Sequence, residues 1–226
     1  MTDKTKNIQQ EQFNAKYCAA ETEGPCHLHE VVLSLLNACP VRENSSVLDI
    51  GAGCGELLSR LPHRSKKCAV DISEAAVQQL SAKGFEALCL DLDERDLPYD
   101  SDEFDYIFCL EVIEHLVRPA DTLQEIRRAL KPSGTCIVSV PNIYQLCTLL
   151  LYLADIPPVN SARYGHIHVN DFTARLFKKA LRDNGLVVRR LAGDEIFPLT
   201  DPVSRWFARR IPRLAHHLIA VCEKAP

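Results

Sequence analysis

Short β-branched or aliphatic runs alternate along this chain with longer stretches whose apolar residues recur at helical spacing, a pattern that predicts βαβ units around a mainly parallel sheet. The first unit is the clearest. Ser46 to Ile50 reads as a buried strand, Gly51, Gly53 and Gly55 follow at once, and Glu56 to Leu61 reads as a helix. Four more strands are predicted over Lys67 to Asp71, Phe85 to Leu90, Phe104 to Leu110 and Gly134 to Val140, with helices over Ser73 to Lys83 and Pro119 to Leu130. Ser73 is placed to cap its helix, and Glu74 puts a carboxylate in the first turn, where the helix dipole favours negative charge. Pro119 suits the first turn of the next helix, and Lys131 to Gly134 stop it. Ahead of the first strand, His27 to Ala38 carries an apolar stripe and predicts a helix laid against the sheet.

The C-terminal third is less regular. Ile143 to Ala154 predicts a mostly apolar helix broken by Ile156-Pro157-Pro158, and Asp171 to Asp183 predicts another, ended by Asn184-Gly185. Leu186 to Leu191 and Leu214 to Cys222 predict an antiparallel pair at one sheet edge, joined through Phe197 to Pro212. Within that connection Arg205 to Arg213 is locally basic and aromatic, and reads as a solvated edge or as a surface for phosphate, lipid headgroups or RNA. No repeat or linker interrupts the chain. Residues 1–25 read as an N-terminal segment, frayed up to about Asn14, and residues 26–226 as one domain with a lid insertion over about 143–168.

Composition narrows the class. With 226 residues, 46% of them apolar, the chain is long enough for an unstapled core, which excludes disorder along its length. A net charge of −4 argues against a dedicated nucleic-acid binder. The longest apolar stretch, around Leu146 to Ile156, is too short for a membrane span, and the polar N-terminus MTDKTKNIQQEQ lacks the apolar region of a secretory signal. A reducing cytoplasm is the expected home. The 10 cysteines include no C-x-x-C pair of the kind that zinc ribbons need. Cys68, Cys89, Cys109, Cys136 and Cys222 fall in predicted strands, where a thiol is expected to act as a small buried hydrophobe.

A glycine-rich turn between a strand and a helix lets the backbone approach a ligand closely and aims helix N–H groups at negative charge. The spacing is G-x-G-x-G, an imperfect match to the dinucleotide-binding loop. Asp71, ending the second strand, is placed to accept hydrogen bonds from the cis hydroxyls of a ribose, which points to a nucleoside-containing ligand. The segments VLDIGAGCGELLSRL, AVDIS, LDLDERDLPYDSDEFDYIFCLEVIEHL and LKPSGTCIVSVPN, in this order, resemble the successive motifs of class I S-adenosylmethionine-dependent methyltransferases over roughly residues 30–225. The likeness is greatest to the branch associated with ubiquinone and methionine biosynthesis. It implies a doubly wound, Rossmann-like α/β fold with a seven-stranded sheet in the order 3-2-1-4-5-7-6, strand seven antiparallel.

The resemblance also implies roles. Asp49, Gly51 and Gly53 would line the methionyl part of S-adenosyl-L-methionine, with Gly55 allowing close helix packing. Asp71 would hold the ribose, Ile72 would pack on the adenine, and Asp91 with Leu92 would meet the adenine amine and ring edge. Counting back from Leu97-Pro98-Tyr99 favours Asp93 over Asp91, whereas Asp91 directly ends the third strand. Leu110 and Glu111 would face the methyl-donor cleft, and Tyr17 would reach the cofactor carboxylate.

Methyl transfer from a sulfonium is an in-line displacement of an already activated group, so the protein supplies alignment, desolvation and, for a hydroxyl acceptor, a base. Cys54 and Cys109 therefore read as packing. If Glu111-Val112-Ile113-Glu114-His115 is helical, Glu111, Glu114 and His115 share one face and can bind a divalent ion, with His166 or His168 as a fourth ligand. Alternation lets only one of those two face the cleft, and His166 is preferred. Small-RNA 2′-O-methyltransferases resemble the chain in carrying E-x-x-E-H and a later histidine around a metal, and ubiquinone-pathway O-methyltransferases share E-x-x-E-H. In the metal-free reading His115 is the base or contacts the substrate. Tyr17, Tyr144, Tyr152 and Tyr164 with Leu149 and Leu150 predict an aromatic, apolar lid. The expected activity is O-methylation of a small, lipid- or sugar-linked acceptor; RNA 2′-O-methylation and a non-catalytic cofactor-binding partner protein are the alternatives.

Overall fold

The structure, a computed structural model, describes residues 27–37, 40–155, 168–197, 199 and 203–225. It has one seven-stranded sheet in the order β3-β2-β1-β4-β5-β7-β6. In chain order the elements are α1 (His27–Leu36), β1 (Ser46–Ile50), α2 (Glu56–Ser59), β2 (Lys66–Asp71), α3 (Glu74–Ala82), β3 (Glu86–Cys89) and β4 (Phe104–Leu110). There follow α4 (Pro119–Ala129), β5 (Leu130–Pro141), α5 (Leu146–Leu153), α6 (Ala174–Asp183), β6 (Leu186–Gly193), α7 (Val203–Arg210), a 3-10 turn at Pro212–Leu214 and β7 (His217–Lys224). Strands β1 to β5 run parallel, and β7 inserts antiparallel between β5 and β6. This is the sheet order that the methyltransferase resemblance implied.

The sheet separates two apolar layers. One layer packs Leu48, Ile50, Ile107, Val138 and Val140 against the α4 residues Leu123 and Ile126 and against Phe177 and Leu181 of α6. The other packs Val47, Phe108, Ile137 and Ile219 against Val31, Val32 and Leu35 of α1. Alternate residues of each strand serve opposite layers, as the pleat dictates.

Most boundaries follow their local chemistry. Ser73 Oγ accepts from the Ala76 N–H at 3.2 Å and starts α3. The helix predicted from Asp171 begins instead at Ala174, because Thr173 Oγ1 accepts from the Leu176 N–H and fixes the start there. Likewise the helix expected from Ile143 begins at Leu146, since Asn142 closes a turn by accepting from the Tyr144 N–H. The β6–β7 connection contains a helix, α7, where no helix was expected. Its positions Ser204 and Ala208, four apart, are both buried, an amphipathic stripe too short to stand out among the flanking prolines.

Cys68, Cys109, Cys136 and Cys222 are fully buried. Cys89 departs from the expectation that it packs inside: it is exposed, because β3 is an edge strand with little covering it. The N-terminal segment and residues 156–167 of the expected lid lie outside the described residues.

Candidate active site

The carboxyl ends of β1 and β2 form the first part of the site. Gly51 has φ +71°, and a Cβ there would lie 2.3 Å from Val112 Cγ2, so only glycine lets this loop pass the segment after β4. A Cβ on Gly55, also at positive φ, would meet Leu80 at 2.6 Å and Phe85 at 2.9 Å. The Asp71 carboxylate closes the loop from the other side. Its Oδ2 accepts from the Gly53 N–H and its Oδ1 from the Ser73 N–H, both at 2.9 Å. Burial raises the Asp71 pKa while these backbone donors oppose the rise. Asp49 is 4% exposed, and burial together with the charge of Asp71 pushes its carboxyl to about 8. A cation arriving beside this pair would be met by a group ready to ionise.

Beyond β3, the Leu90 N–H donates to the Asp71 carbonyl at 2.9 Å, which sets Asp91 and Leu92 beside the β2 end. Asp91 Oδ1 accepts from the Asp93 N–H. Asp93 has a separate duty: its carboxylate accepts from the N–H groups of Val117 and Arg118 at 3.0 to 3.1 Å, tying down the turn after β4. Ile72, Leu92 and Leu110 are partly buried at the rim of these strand ends.

The Glu111 to His115 segment is not helical. Glu111 adopts φ +56°, a left-handed conformation, and a turn follows. Pro119 disfavours helix at Arg118, and Asp93 holds the preceding N–H groups, so α4 starts only at Pro119. The face predicted to unite Glu111 with Glu114 and His115 is therefore split into two clusters.

Glu111 joins the first cluster. Its Oε1 accepts from Ser139 Oγ at 2.6 Å, and its Oε2 lies 3.4 Å from His217 Nε2. On the far side of the imidazole, His217 Nδ1 is 2.6 Å from Asp194 Oδ2, and the His217 N–H donates to Asp194 Oδ1 at 2.8 Å. Burial works against the imidazolium, but the Asp194 hydrogen bond and the charge of Glu111 outweigh it and raise His217 to about 9. Burial raises Glu111, whereas His217 and Ser139 pull it down. Ser139, Asp194 and His217 were not anticipated as site residues. The one signal in the sequence is Asp194, a carboxylate directly after the β6 run and ahead of a connection that holds three prolines, Pro198, Pro202 and Pro212.

Glu114 anchors the second cluster. It is 1% exposed, and neither carboxylate oxygen accepts a hydrogen bond among the described residues. Burial, with the charge of Glu111, raises its pKa well above the usual carboxylate range. His115 Nε2 lies 3.8 Å from Glu114 Oε1, and the rings of His115 and His168 meet edge to face at 5.0 Å. One ligand atom from each of Glu114, His115 and His168 lies within 4.8 Å of the others. Backbone docking explains the third member: the Val169 and Asn170 N–H groups donate to the Glu114 carbonyl at 2.8 and 2.9 Å, and Asn170 Nδ2 donates to the Leu116 carbonyl at 2.6 Å. Of the two alternating histidines, the preferred His166 lies outside the described residues, and His168 is the one seen in the cluster; Tyr17 also lies outside.

Comparisons with known proteins agree with this arrangement of strand ends. A family described as a methyltransferase domain matches residues 25–191. A ubiquinone biosynthesis O-methyltransferase of Alkalilimnicola ehrlichii is 30% identical over 158 residues, covering 62% of this chain and 64% of that protein. The biotin biosynthesis bifunctional protein BioHC of Cellvibrio japonicus is 25% identical over 193 residues, covering 83% of this chain and 35% of that protein. The chain thus spans less than two thirds of the length of either relative. Among solved structures, the complex between the Haloferax volcanii Trm112 methyltransferase activator and a methyltransferase includes a chain of the same fold, with a TM-score of 0.70, 24% identity, and coverage of 96% of this chain and 97% of that one. The match over most of the sequence, on a sheet of this order with a glycine turn and an acidic residue at the expected strand ends, establishes that the chain belongs to the class I S-adenosylmethionine-dependent methyltransferases.

Proposed function

We propose that this protein transfers a methyl group from S-adenosylmethionine to a hydroxyl oxygen of a small, lipid- or sugar-linked acceptor. The observation that carries the reading is the pair of carboxylate–imidazole clusters, one at the ends of β4 to β7 and the other in the turn after β4, the segment whose Val112 packs against Gly51 of the glycine turn. Asp71 holds the ribose of the cofactor, with Gly51 and Gly53 lining its methionyl part. Asp49 and the end of β4 face its methionyl end. Glu111, fixed by Ser139 and by the His217 cation, keeps a defined direction instead of swinging into the cleft. The relatives named as O-methyltransferases support oxygen as the acceptor atom, including a 27-O-demethylrifamycin SV methyltransferase of Amycolatopsis mediterranei that is 28% identical over 111 residues.

Glu114, His115 and His168 fit a divalent cation. A buried carboxylate whose two oxygens accept no hydrogen bond among the described residues, with two adjacent imidazoles, is a donor set of the N/O type that Mg²⁺, Mn²⁺ or Zn²⁺ accepts. A bound ion would lower the pKa of a coordinated hydroxyl. Without an ion, His115 is the group placed to take the acceptor proton.

The test is release of S-adenosylhomocysteine with a panel of phenols, glycosides, carboxylic acids and RNA, with and without EDTA and metal add-back. Turnover on hydroxyl acceptors is expected, lost in EDTA and restored by metal, with Glu114→Gln insensitive to the add-back. Unchanged turnover in EDTA removes the ion and leaves His115 as base; turnover on RNA alone transfers the same cluster to ribose 2′-hydroxyls. A folded protein that fails to bind S-adenosylmethionine overturns the proposal.

A further inference from the structure

Helix α7 has two unlike faces. Its small residues hold it to the domain: Ala208 is buried in a cluster with Ile196 and Ala215, and Ser204 Oγ accepts from the Ile196 N–H at 2.7 Å. Its large residues point outward. Val203, Trp206 and Phe207 are 47%, 51% and 37% exposed, and Phe197 and Leu199 just ahead of the helix are 61% and 40% exposed. Residues 203–213 carry four arginines, Arg205, Arg209, Arg210 and Arg213, and no carboxylate. Among the described residues Arg209 reaches the Ser34 hydroxyl, and the Arg210 guanidinium lies 3.7 Å over the Trp206 ring; neither is paired with a carboxylate. The apolar margin continues into α5, whose Leu146 packs against the same small cluster and whose Leu150 and Leu153 are 49% and 85% exposed.

We propose that α7, together with Phe197 and Leu199 ahead of it, forms a docking face for an anionic lipid surface. Aromatic and aliphatic side chains standing out of a helix that is rimmed by arginines are what the boundary between headgroups and acyl chains accommodates, and the helix buries them without exposing unpaired backbone groups. Charge complementarity supplies the orientation: on a chain of net −4, residues 203–213 gather four arginines without a carboxylate beside five exposed large apolar side chains, Phe197, Leu199, Val203, Trp206 and Phe207, a combination that an anionic surface attracts and an acyl layer accepts. The same features disfavour the alternatives. A second copy would set these arginines against each other. RNA would stack its bases on open rings, whereas Arg210 covers a face of Trp206 and aliphatic Val203, Leu199, Leu150 and Leu153 make up much of the exposed apolar margin. This face is independent of which acceptor the active site takes.

Trp206 is the chain's single tryptophan, so its emission reports this face alone. The full chain is titrated with vesicles of mixed phosphatidylglycerol and phosphatidylcholine, and with phosphatidylcholine alone, at low and high salt. A blue shift and co-sedimentation are expected with the anionic vesicles, at least about tenfold weaker with neutral ones and weakening as salt rises, since each arginine near the surface is worth about a fivefold change in partitioning. Arg209→Glu with Arg210→Glu should abolish binding while leaving S-adenosylhomocysteine affinity and melting temperature unchanged. If that pair fails to fold, Phe207→Ser tests the apolar half and should weaken binding about tenfold. No binding to either vesicle, equal binding to both, or a Trp206 response to an oligoribonucleotide in place of vesicles would each overturn the proposal.

Discussion

The carboxyl edge of the sheet divides into two halves that are built differently. In the half formed by β1 to β3, the residues that matter are neighbours in one βαβ unit: Asp49, the glycine turn and Asp71, joined by the Gly53 to Asp71 hydrogen bond. In the half formed by β4 to β7, Glu111 meets Ser139 across 28 residues of chain, and His217 meets Asp194 across 23. Strand register creates the second set. Leu110 pairs with Ser139, Pro141 with His217, and Gly193 with Leu218, so four strand ends deliver one side chain each to a common point. The first half works as a preformed cradle and the second as an assembly that exists only once the sheet is complete.

The sharpest way to break this division is Asp71→Ala. The substitution leaves the Gly53 and Ser73 N–H groups without their charged acceptor, and an unmade bond of that kind costs roughly 1.5–3 kcal/mol. Stability to urea should fall by about 3 kcal/mol or more, and S-adenosylhomocysteine affinity measured by calorimetry by about 100-fold or more. Affinity within fivefold of wild type would detach the cradle from the cofactor. Next in size is His217→Gln, which removes the cation between Glu111 and Asp194. It should lower kcat about 100-fold while S-adenosylhomocysteine affinity stays within about threefold. A parallel loss of affinity would merge the two halves into one site.

This division also marks what the sequence disclosed. The five parallel strands, the antiparallel pair and the cradle were legible because each is announced locally, by an apolar run, a glycine turn or a carboxylate ending a strand. The shared face that a helical Glu111 to His115 would have given is absent, because a left-handed Glu111, the proline at 119 and the distant Asp93 together override the local spacing. His217 gave no sign of its role, since a histidine in a strand acquires a partner only through β6–β7 pairing. His168 is brought beside His115 by the backbone docking of Val169 and Asn170, which no alternation rule contains, whereas His166 lies outside the described residues.

Titration offers a gentler probe of the same contrast. Asp49, raised from 3.8 to about 8, binds a proton in the folded chain that the unfolded chain has lost, so stability should fall as pH rises between those values. His217, raised from 6.5 to about 9, contributes stability that is complete below 6.5 and lost as pH rises through about 9. Both slopes are downward and overlap from 6.5 to about 8; Asp49 acts alone below that range and His217 alone above it. Melting temperatures between pH 5 and 9 should show Asp49→Asn flattening the lower window and His217→Gln the upper. S-adenosylhomocysteine affinity should rise with pH up to about 8 in wild type and lose that slope in Asp49→Asn, because the ligand's ammonium favours the ionised carboxylate. A slope that survives Asp49→Asn would place the titrating group elsewhere.

The smallest expected effect compares two helix caps of the same chemistry. Ser73 caps α3 inside the cradle and Thr173 caps α6 away from it, through bonds of 3.2 and 3.3 Å to the N–H three residues on. Ser73→Ala and Thr173→Ala should each cost about 1 kcal/mol of stability. Their effects on the cofactor should differ, since Ser73 also presents its own N–H to Asp71, and a frayed α3 start loosens that bond. S-adenosylhomocysteine affinity should weaken about threefold in Ser73→Ala and stay unchanged in Thr173→Ala. Equal affinities in the two variants would mean that the Asp71 carboxylate is held by the Gly53 N–H and strand β2 alone, and that the cradle ends at β2 without enlisting the helix that follows it.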